Sequence, residues 1–259
     1  AYRPSHADYT YASKYGVRDH RGGGRSSARE TIARVIGGAV ARQVLSASTD
    51  IQIHAWVQQI HQITLDQDPT RYELETDYEK AVHCPHAETA EKMYHLVDKI
   101  RKEGDSVGGV IKCVIKGVPA GIGEPIYAKL PAILSSAMMS INAVKGFEIG
   151  SGFMGSGMKG SEHNDVFYKE EDRIRTRTNF SGGVQGGISN GEDIYFRVAF
   201  KPTSTIMRDQ QSVDSEGNEI TLKGKGRHDP CVVPRAVPIV EAMAGIVLAD
   251  QWMLQKAKS

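Results

Sequence analysis

Apolar side chains at Ile32, Val35, Ile36, Ala39, Val40 and Val44 recur every three to four residues. That is the period of one helix face, and it predicts a helix of about 20 residues. Just ahead of it, Ser27-Ala28-Arg29-Glu30 reads as a capping box, the hydroxyl accepting from a backbone N–H while the glutamate reaches back. Ala90, Met93, Val97 and Ile100 predict a second amphipathic helix, which Gly104 stops. Leu130 to Ile141 predicts a third, with Pro131 tolerated in its first turn, and Pro238 to Leu254 closes the chain as a helix.

Extended segments follow a different rule. Ile51–Val57 reads as a strand, and the β-branched run from Val110 to Val118 does too. In Asp193–Lys201 the residues Ile194, Phe196, Val198 and Phe200 alternate with polar ones, a period of two, and Arg173–Asn179 reads as its partner strand. Ser215-Glu216-Gly217-Asn218 is turn chemistry between two further extended pieces. Residues 1–24 and 64–86 read as irregular, and the glycines between Asn142 and Gly160 imply sharply turning backbone. Helices and strands in mixed order, with hairpins, predict an α+β architecture with long functional loops.

Composition narrows the function. A formal charge of +1 over 259 residues argues against a nucleic-acid footprint spread over the surface. No continuous apolar run approaches the roughly 20 residues of a membrane span, which predicts a protein free of membrane. Cys84, Cys113 and Cys231 are widely spaced and outside any CxxC pattern, so they predict free thiols in a reducing compartment. The Asn179-Phe180-Ser181 sequon is discounted on the same ground. His83-Cys84-Pro85-His86 lacks a second ligand pair at zinc spacing, and no metal is expected. The chain opens Ala-Tyr-Arg-Pro-Ser-His without an initiator Met and reads as the interior of a longer polypeptide.

Four segments can carry chemistry. Gly22-Gly23-Gly24-Arg25-Ser26-Ser27 runs into the first long helix, where free N–H groups, two hydroxyls and a guanidinium suit a phosphate as well as they suit an ordinary capped loop. Lys201-Pro202-Thr203-Ser204-Thr205 follows an apolar strand and offers several donors to an anion or a polar ring edge. Gly226-Arg227-His228-Asp229 places a guanidinium, an imidazole and a carboxylate in succession, a phosphate clamp beside a proton-transfer group or simply a charged turn. In Arg3-Pro4-Ser5-His6-Ala7-Asp8 the histidine lies close to an arginine that can tune its charge. Together they imply a phosphorylated ligand without naming a reaction.

Taken together, Arg-Pro-Ser-His-Ala-Asp at 3–8, Gly-Gly-Gly-Arg-Ser-Ser-Ala-Arg-Glu-Thr at 22–31, Ser-Gly-Gly-Val-Gln-Gly-Gly-Ile-Ser-Asn-Gly at 181–191 and Gly-Arg-His-Asp-Pro-Cys-Val-Val-Pro-Arg-Ala-Val-Pro at 226–238 resemble the chorismate synthases. Gly-Asp-Ser-Val-Gly-Gly at 104–109, Lys-Gly-Phe-Glu-Ile-Gly-Ser-Gly-Phe at 145–153 and Ser-Glu-His-Asn-Asp at 161–165 add to it. The resemblance covers essentially the whole chain. It implies one domain over 1–259 with helices packed between two antiparallel sheets, a homotetramer, and a cytoplasmic location, or a plastid one in a plant or alga.

The reaction implied is an anti-1,4-elimination of phosphate from 5-enolpyruvylshikimate 3-phosphate to chorismate, using reduced FMN without net redox change. NADPH enters only if the enzyme also reduces its flavin. By that resemblance Arg25, Ser26, Ser27, Asn142, Ala143, Gly186, Lys201, Pro202, Thr203, Ser204, Thr205 and Arg227 hold the flavin. Arg3, Arg29 and Arg227 clamp substrate, His6 serves the reduced flavin, and Asp229 manages the proton at flavin N5. The family's N-terminal Gly-Glu-Ser-His block has no counterpart in the 259 residues; either the protein continues beyond them or it lacks that segment, and in the second case the resemblance implies weakened FMN binding and almost no elimination. A non-catalytic binder of FMN or phosphometabolites is the alternative, and a flavin oxidoreductase would need net electron transfer.

Overall fold

The computed structural model describes residues 1–18, 24–224 and 228–258. Gly22, Gly23, Gly226 and Arg227, singled out in the sequence, lie outside the described residues. In chain order the helices are α1 (Asp8–Tyr15), α2 (Thr31–Ser46), α3 (Asp77–Val82), α4 (Ala87–Lys102), α5 (Leu130–Met139), α6 (Gly152–Gly155), α7 (Gly160–His163) and α8 (Val233–Lys258). The strands are β1 (Gln52–Ile60), β2 (Ile63–Thr64), β3 (Gly109–Lys116), β4 (Val144–Ile149), β5 (Phe167–Glu170), β6 (Arg173–Thr176), β7 (Val184–Gln185), β8 (Ile188–Ser189), β9 (Ile194–Phe200), β10 (Gln210–Val213) and β11 (Glu219–Leu222). This is the expected mixed α+β chain.

Five strands hydrogen-bond in the order β2-β1-β3-β9-β4, and three two-stranded ribbons, β5-β6, β7-β8 and β10-β11, stand beside them. The expected pairing of the 173–179 and 193–201 segments is corrected here. β6 pairs antiparallel with β5, Phe167 opposite Thr176, and β9 runs between β3 and β4. The turn at Glu171-Asp172 folds β5 back on its sequence neighbour. Alternation marks β9 as a strand but does not name the strands beside it.

The chain divides into two compact units. The first gathers Ala1–Glu30, Val57–Gly109 and Phe200–Pro234. Its core includes Ile60, Val82, Met93, Val107 and Phe200. Helix α3, absent from the sequence expectation, starts on a capping box. The Thr76 hydroxyl accepts from the Glu79 N–H, and the Glu79 carboxylate accepts from the Thr76 N–H at 2.7 Å. Helix α4 opens on His86, whose Nδ1 accepts from the Thr89 N–H, and Gly104 ends it in the left-handed region. Helix α1 replaces the irregular structure expected for residues 1–24.

The second unit gathers Thr31–Trp56, Val110–Ala199 and Arg235–Ser259. Trp56, Ile111, Ile115, Leu134, Met138, Ile194, Phe196 and Leu248 are fully buried there, each worth about 1.5–3 kcal/mol of transfer free energy. Helix α8 is longer than expected, 26 residues, and by length and composition it could cross a membrane. It serves as a core helix, packed closely against α2: a Cβ at Gly38 would lie 2.3 Å from the Ala242 Cβ. Glu241 adds a polar tie, accepting from Arg42 at 2.6 Å and from the Ala55 N–H at 2.9 Å.

That packing turns α2 over. Its buried residues are Thr31, Gly38, Ala41 and Leu45, while Ile32 (64%), Ile36 (62%) and Val40 (58%) are exposed, with Val35 and Val44 beside them. An amphipathic stripe ordinarily faces the core. Here the small residues do, because only they allow α8 so near.

Candidate functional site

In the first unit the chain start is pinned to β10, Tyr2 N–H donating to the Val213 carbonyl at 3.0 Å and the Ser212 hydroxyl to the Tyr2 carbonyl. The next residues turn tightly, His6 N–H donating to the Arg3 carbonyl with Ser5 at φ 55°. Helix α1 then begins at Asp8, whose carboxylate is buried. It accepts from the Arg3 N–H and Nε through Oδ2, and through Oδ1 it meets Arg3 Nη2 at 2.8 Å, His6 Nδ1 at 2.7 Å and Arg18 Nη2 at 3.1 Å.

A second strand of contacts joins this turn to the end of β9. Ser204 Oγ donates to the Ser5 carbonyl at 2.9 Å and accepts from Lys201 Nζ at 2.7 Å. Thr203 Oγ1 donates to the Asp229 carbonyl at 2.9 Å, and the Thr203 carbonyl accepts from the Ser106 hydroxyl at 2.8 Å. The Gly-Asp-Ser-Val-Gly-Gly segment threads between these pieces. Val107 N–H donates to the Pro230 carbonyl, Asp105 pairs with Arg208, and at Gly108 a Cβ would lie 2.2 Å from the Phe200 carbonyl oxygen. Only glycine lets the backbones approach so closely. Next to Asp229, the Nε2 of His228 is buried with no hydrogen-bond partner among the described residues.

The structure thus draws together Arg3, His6, Lys201, Thr203, Ser204 and Asp229, with Pro202 and Thr205 on the same loop. Arg25 and Ser26 lie on one 3-10 turn, Gly24–Ser26, and Arg29 on the next, Ala28–Glu30, with Ser27 between them and both arginines exposed. The capping box expected there is corrected. Ser27 Oγ accepts from the Arg29 N–H at 3.4 Å, two residues on, and the α-helix starts only at Thr31.

Asn142, Ala143 and Gly186 belong to the second unit. Asn142 and Ala143 form the turn into β4, where Val144 N–H donates to the Ile141 carbonyl and Ala143 takes φ 69°, a strained angle for a residue with a Cβ. Gly186 and Gly187 make the two-residue loop of the β7-β8 hairpin, both with positive φ. The α-carbon face of Gly186 is open: a methyl placed there would meet nothing within 4 Å.

The electrostatics favour a neutral imidazole. Burial lowers the His6 pKa first, the Arg3 and Arg18 charges lower it further, and Asp8 only partly opposes them. Asp8 itself is held below the usual carboxylate range: burial would raise it, but the Arg3 hydrogen bonds and the His6 contact outweigh that. Asp8, Ser5, Ser106 and Arg18 were not singled out in the sequence. Asp8 had a signal, since it closes the 3–8 block two residues after His6. Ser5 and Ser106 also fall within the 3–8 and 104–109 blocks, but their links to Ser204 and Thr203 show only in the structure, as does the charge of Arg18 beside Asp8.

An α+β protein in which a guanidinium, an ammonium, hydroxyls and a poised imidazole are tied together has the makings of an enzyme for anionic, phosphorylated ligands. Comparison with known proteins gives the class a family. The chorismate synthase family model matches residues 1–253. A chorismate synthase of Bacteroides fragilis is 58% identical over 255 residues, 98% of this chain and 71% of the relative. That of Opitutus terrae is 58% identical over 260 residues, covering 99% and 71%. A crystal structure of chorismate synthase superposes with a TM-score of 0.77 at 31% identity, covering 96% of this chain and 70% of that one. The chain belongs to the chorismate synthase family, whose members are carbon–oxygen lyases.

Proposed function

We propose that this protein eliminates phosphate from 5-enolpyruvylshikimate 3-phosphate to give chorismate, with reduced FMN as cofactor and no net oxidation. The observation that carries the reading is the hydrogen-bonded run from the Ser5 carbonyl, next to His6 in the chain, through Ser204 to Lys201, beside Thr203 and Asp229 in the same unit. The donor set suits a flavin phosphate and ring edge. It offers the Lys201 ammonium, the Thr205 hydroxyl and the buried His228 Nε2 that no described protein group satisfies, while the Thr203 and Ser204 hydroxyls, which donate to backbone carbonyls, keep oxygen lone pairs for a ligand donor.

Phosphate leaves C3 of the substrate while a hydrogen is lost from C6, a reaction with no charge sink of its own. Reduced flavin, when bound, lends electron density to that reaction and recovers it. This chain's residues do the rest. Arg3 and Arg29 meet the substrate phosphate, with Arg227, and neutralise charge where it develops; each preorganised donor of that kind is worth about 3–4 kcal/mol. His6 holds or gives a proton at the reduced flavin, and Asp229 takes part in proton transfer at N5. Lys201 to Thr205, with Arg25, Ser26 and Ser27, are cofactor contacts, and the family resemblance assigns Asn142, Ala143 and Gly186 to the cofactor as well.

The family resemblance also supports a homotetramer in the cytoplasm, and the outward apolar face of α2 supplies a surface for self-association. Anaerobic assay of the protein with dithionite-reduced FMN and substrate tests the function. Chorismate and phosphate should form in equal amounts with no reductant consumed. FMN bound without product would make the protein a binder, and stoichiometric reductant use would make it an oxidoreductase. Substituting NADPH for dithionite reads whether the protein reduces its own flavin.

A further inference from the structure

We propose that Asp8 is a positioning residue which fixes His6 as the Nδ1–H tautomer and holds Arg3 with one edge of its guanidinium turned to the substrate anion. The inference deepens the lyase reading and rests on it for the roles of His6 and Arg3.

The assignment follows from which atoms can donate. Arg3 N–H, Nε and Nη2 and Arg18 Nη2 are donors only, and an ionised carboxylate accepts only. Asp8 Oδ1 lies 2.7 Å from His6 Nδ1, so that nitrogen carries the hydrogen. Arg3 Nη2 is 3.1 Å from the same nitrogen, but with a hydrogen on Nδ1 the two are both donors. Arg3 Nη2 instead donates to Oδ1 at 2.8 Å. Neutral His6 therefore keeps its lone pair on Nε2, and any proton the ring gains or gives up moves at that one atom.

Arg3 is fixed by the same carboxylate. Nε and Nη2 both donate to Asp8, at 2.8 Å each, which is the bidentate fork an arginine makes with a carboxylate. Nη1 is the remaining nitrogen of that side chain and is the one offered to a phosphate or carboxylate. Asp8 is 2% exposed, so water cannot take its place without opening the turn. The charged groups around His6 among the described residues are Arg3, Arg18 and Asp8, with Lys201 reaching the same turn through Ser204 and the Ser5 carbonyl. Two guanidinium charges against one carboxylate leave the cluster one positive charge, the sign that suits a departing phosphate.

Imidazole 15N spectra of the FMN-loaded wild-type protein read the tautomer directly and need no turnover. Nδ1–H for neutral His6 is expected, and Nε2–H would overturn the proposal. Asp8→Asn, nearly isosteric and uncharged, should lower kcat roughly 10- to 100-fold, the scale on which carboxylate partners orient functional histidines. It should also shift the His6-dependent limb of the pH–rate profile to lower pH, since two cations then oppose imidazolium with no anion to favour it. Asp8→Glu, which keeps the charge, should recover part of kcat. An unchanged tautomer and pH profile in Asp8→Asn, with only the melting temperature lowered, would reduce Asp8 to a structural residue and sink the idea. If Asp8→Asn fails to fold, the wild-type tautomer and the Asp8→Glu profile decide. A wild-type protein that shows Nδ1–H but makes no chorismate would refute the lyase reading and leave the positioning intact.

Discussion

The Ser204 hydroxyl donates to the Ser5 carbonyl at 2.9 Å, joining two segments 199 residues apart in the chain. It also accepts from Lys201 Nζ, so one side chain holds the turn before His6 and the ammonium that follows β9. Replacing Ser204 with Ala removes both hydrogen bonds at once. A lost hydrogen bond of this kind costs about 1 kcal/mol, and the larger expected effect is on ligand order. FMN affinity measured by fluorescence quenching should fall about 10-fold, with a small change in melting temperature. An unaltered Kd would separate Ser204 from the flavin.

Gly38 and Ala242 make a comparable test in the second unit. A methyl at position 38 would stand 2.3 Å from the Ala242 Cβ and 2.5 Å from its Cα. Neither atom can swing aside, because both belong to the α8 backbone or its first carbon. Gly38→Ala should therefore destabilise by roughly 1–3 kcal/mol, the cost of overpacking, despite the better helix propensity of alanine. Denaturant unfolding measures it, and a gain in stability would show that the helices move apart freely.

How much of this was legible in the sequence depends on whether the information was local. Gly104, Pro131 and the alternation of β9 mark their elements through their own chemistry, and the structure places them as expected. Thr76-Asp77-Tyr78-Glu79 carried the capping pattern that α3 uses, yet the charged residues around it read as loop. The same pattern at Ser27–Glu30 ends in 3-10 turns. The outward stripe of α2 was illegible for the opposite reason: which face is buried depends on Gly38 meeting α8, about 200 residues away. The candidate site was readable as blocks. The Ser5–Ser204 and Thr203–Asp229 links were not, since they run through backbone carbonyls that no side-chain pattern reports.

The α2 surface yields a prediction about assembly. Ile32, Ile36 and Val40 are each more than half exposed on successive turns, and covering what remains exposed gains about 1–2 kcal/mol apiece. The double variant Ile36→Glu with Val40→Glu places two carboxylates on that face without touching the buried Gly38 and Ala41. Light scattering should give a tetramer for the parent protein and a smaller species for the variant, with far-UV circular dichroism unchanged. A tetramer in both would move the interface elsewhere.

The three thiols should be inert in the folded protein. Burial pushes Cys84 up to about 12 and Cys231 up to about 11, and it raises Cys113 well above the ordinary thiol range. Thiolate is the reacting form, so at pH 8 a disulfide reagent should label none of the three until denaturant is added, when all three titrate. Rapid labelling of one cysteine in the native state would mean that its unit opens locally.

Acid should unfold the first unit partly through Glu79. Its carboxylate is fully buried, accepts from the Glu75 and Thr76 N–H groups and pairs with Arg71 at 2.6 Å. Burial alone would raise its pKa, but the Thr76 and Glu75 hydrogen bonds and the Arg71 guanidinium outweigh that and hold it below the usual range. A carboxyl whose folded pKa is depressed contributes stability that is fully present above its unfolded pKa, about 4.3, and is lost as pH falls towards the folded value. Melting temperature should accordingly hold from neutral pH to about 5 and drop below about 4. Glu79→Gln removes the titrating group and one side of the Arg71 pair, at a cost of about 1–3 kcal/mol after allowing for the partly exposed arginine. Because the variant has already lost the charge, its stability should fall less steeply between pH 5 and 3 than the parent's. Parallel curves for the two proteins would assign the acid transition to other carboxylates, with the Arg175–Glu192 pair of the second unit, at 2.7 Å, as the next candidate.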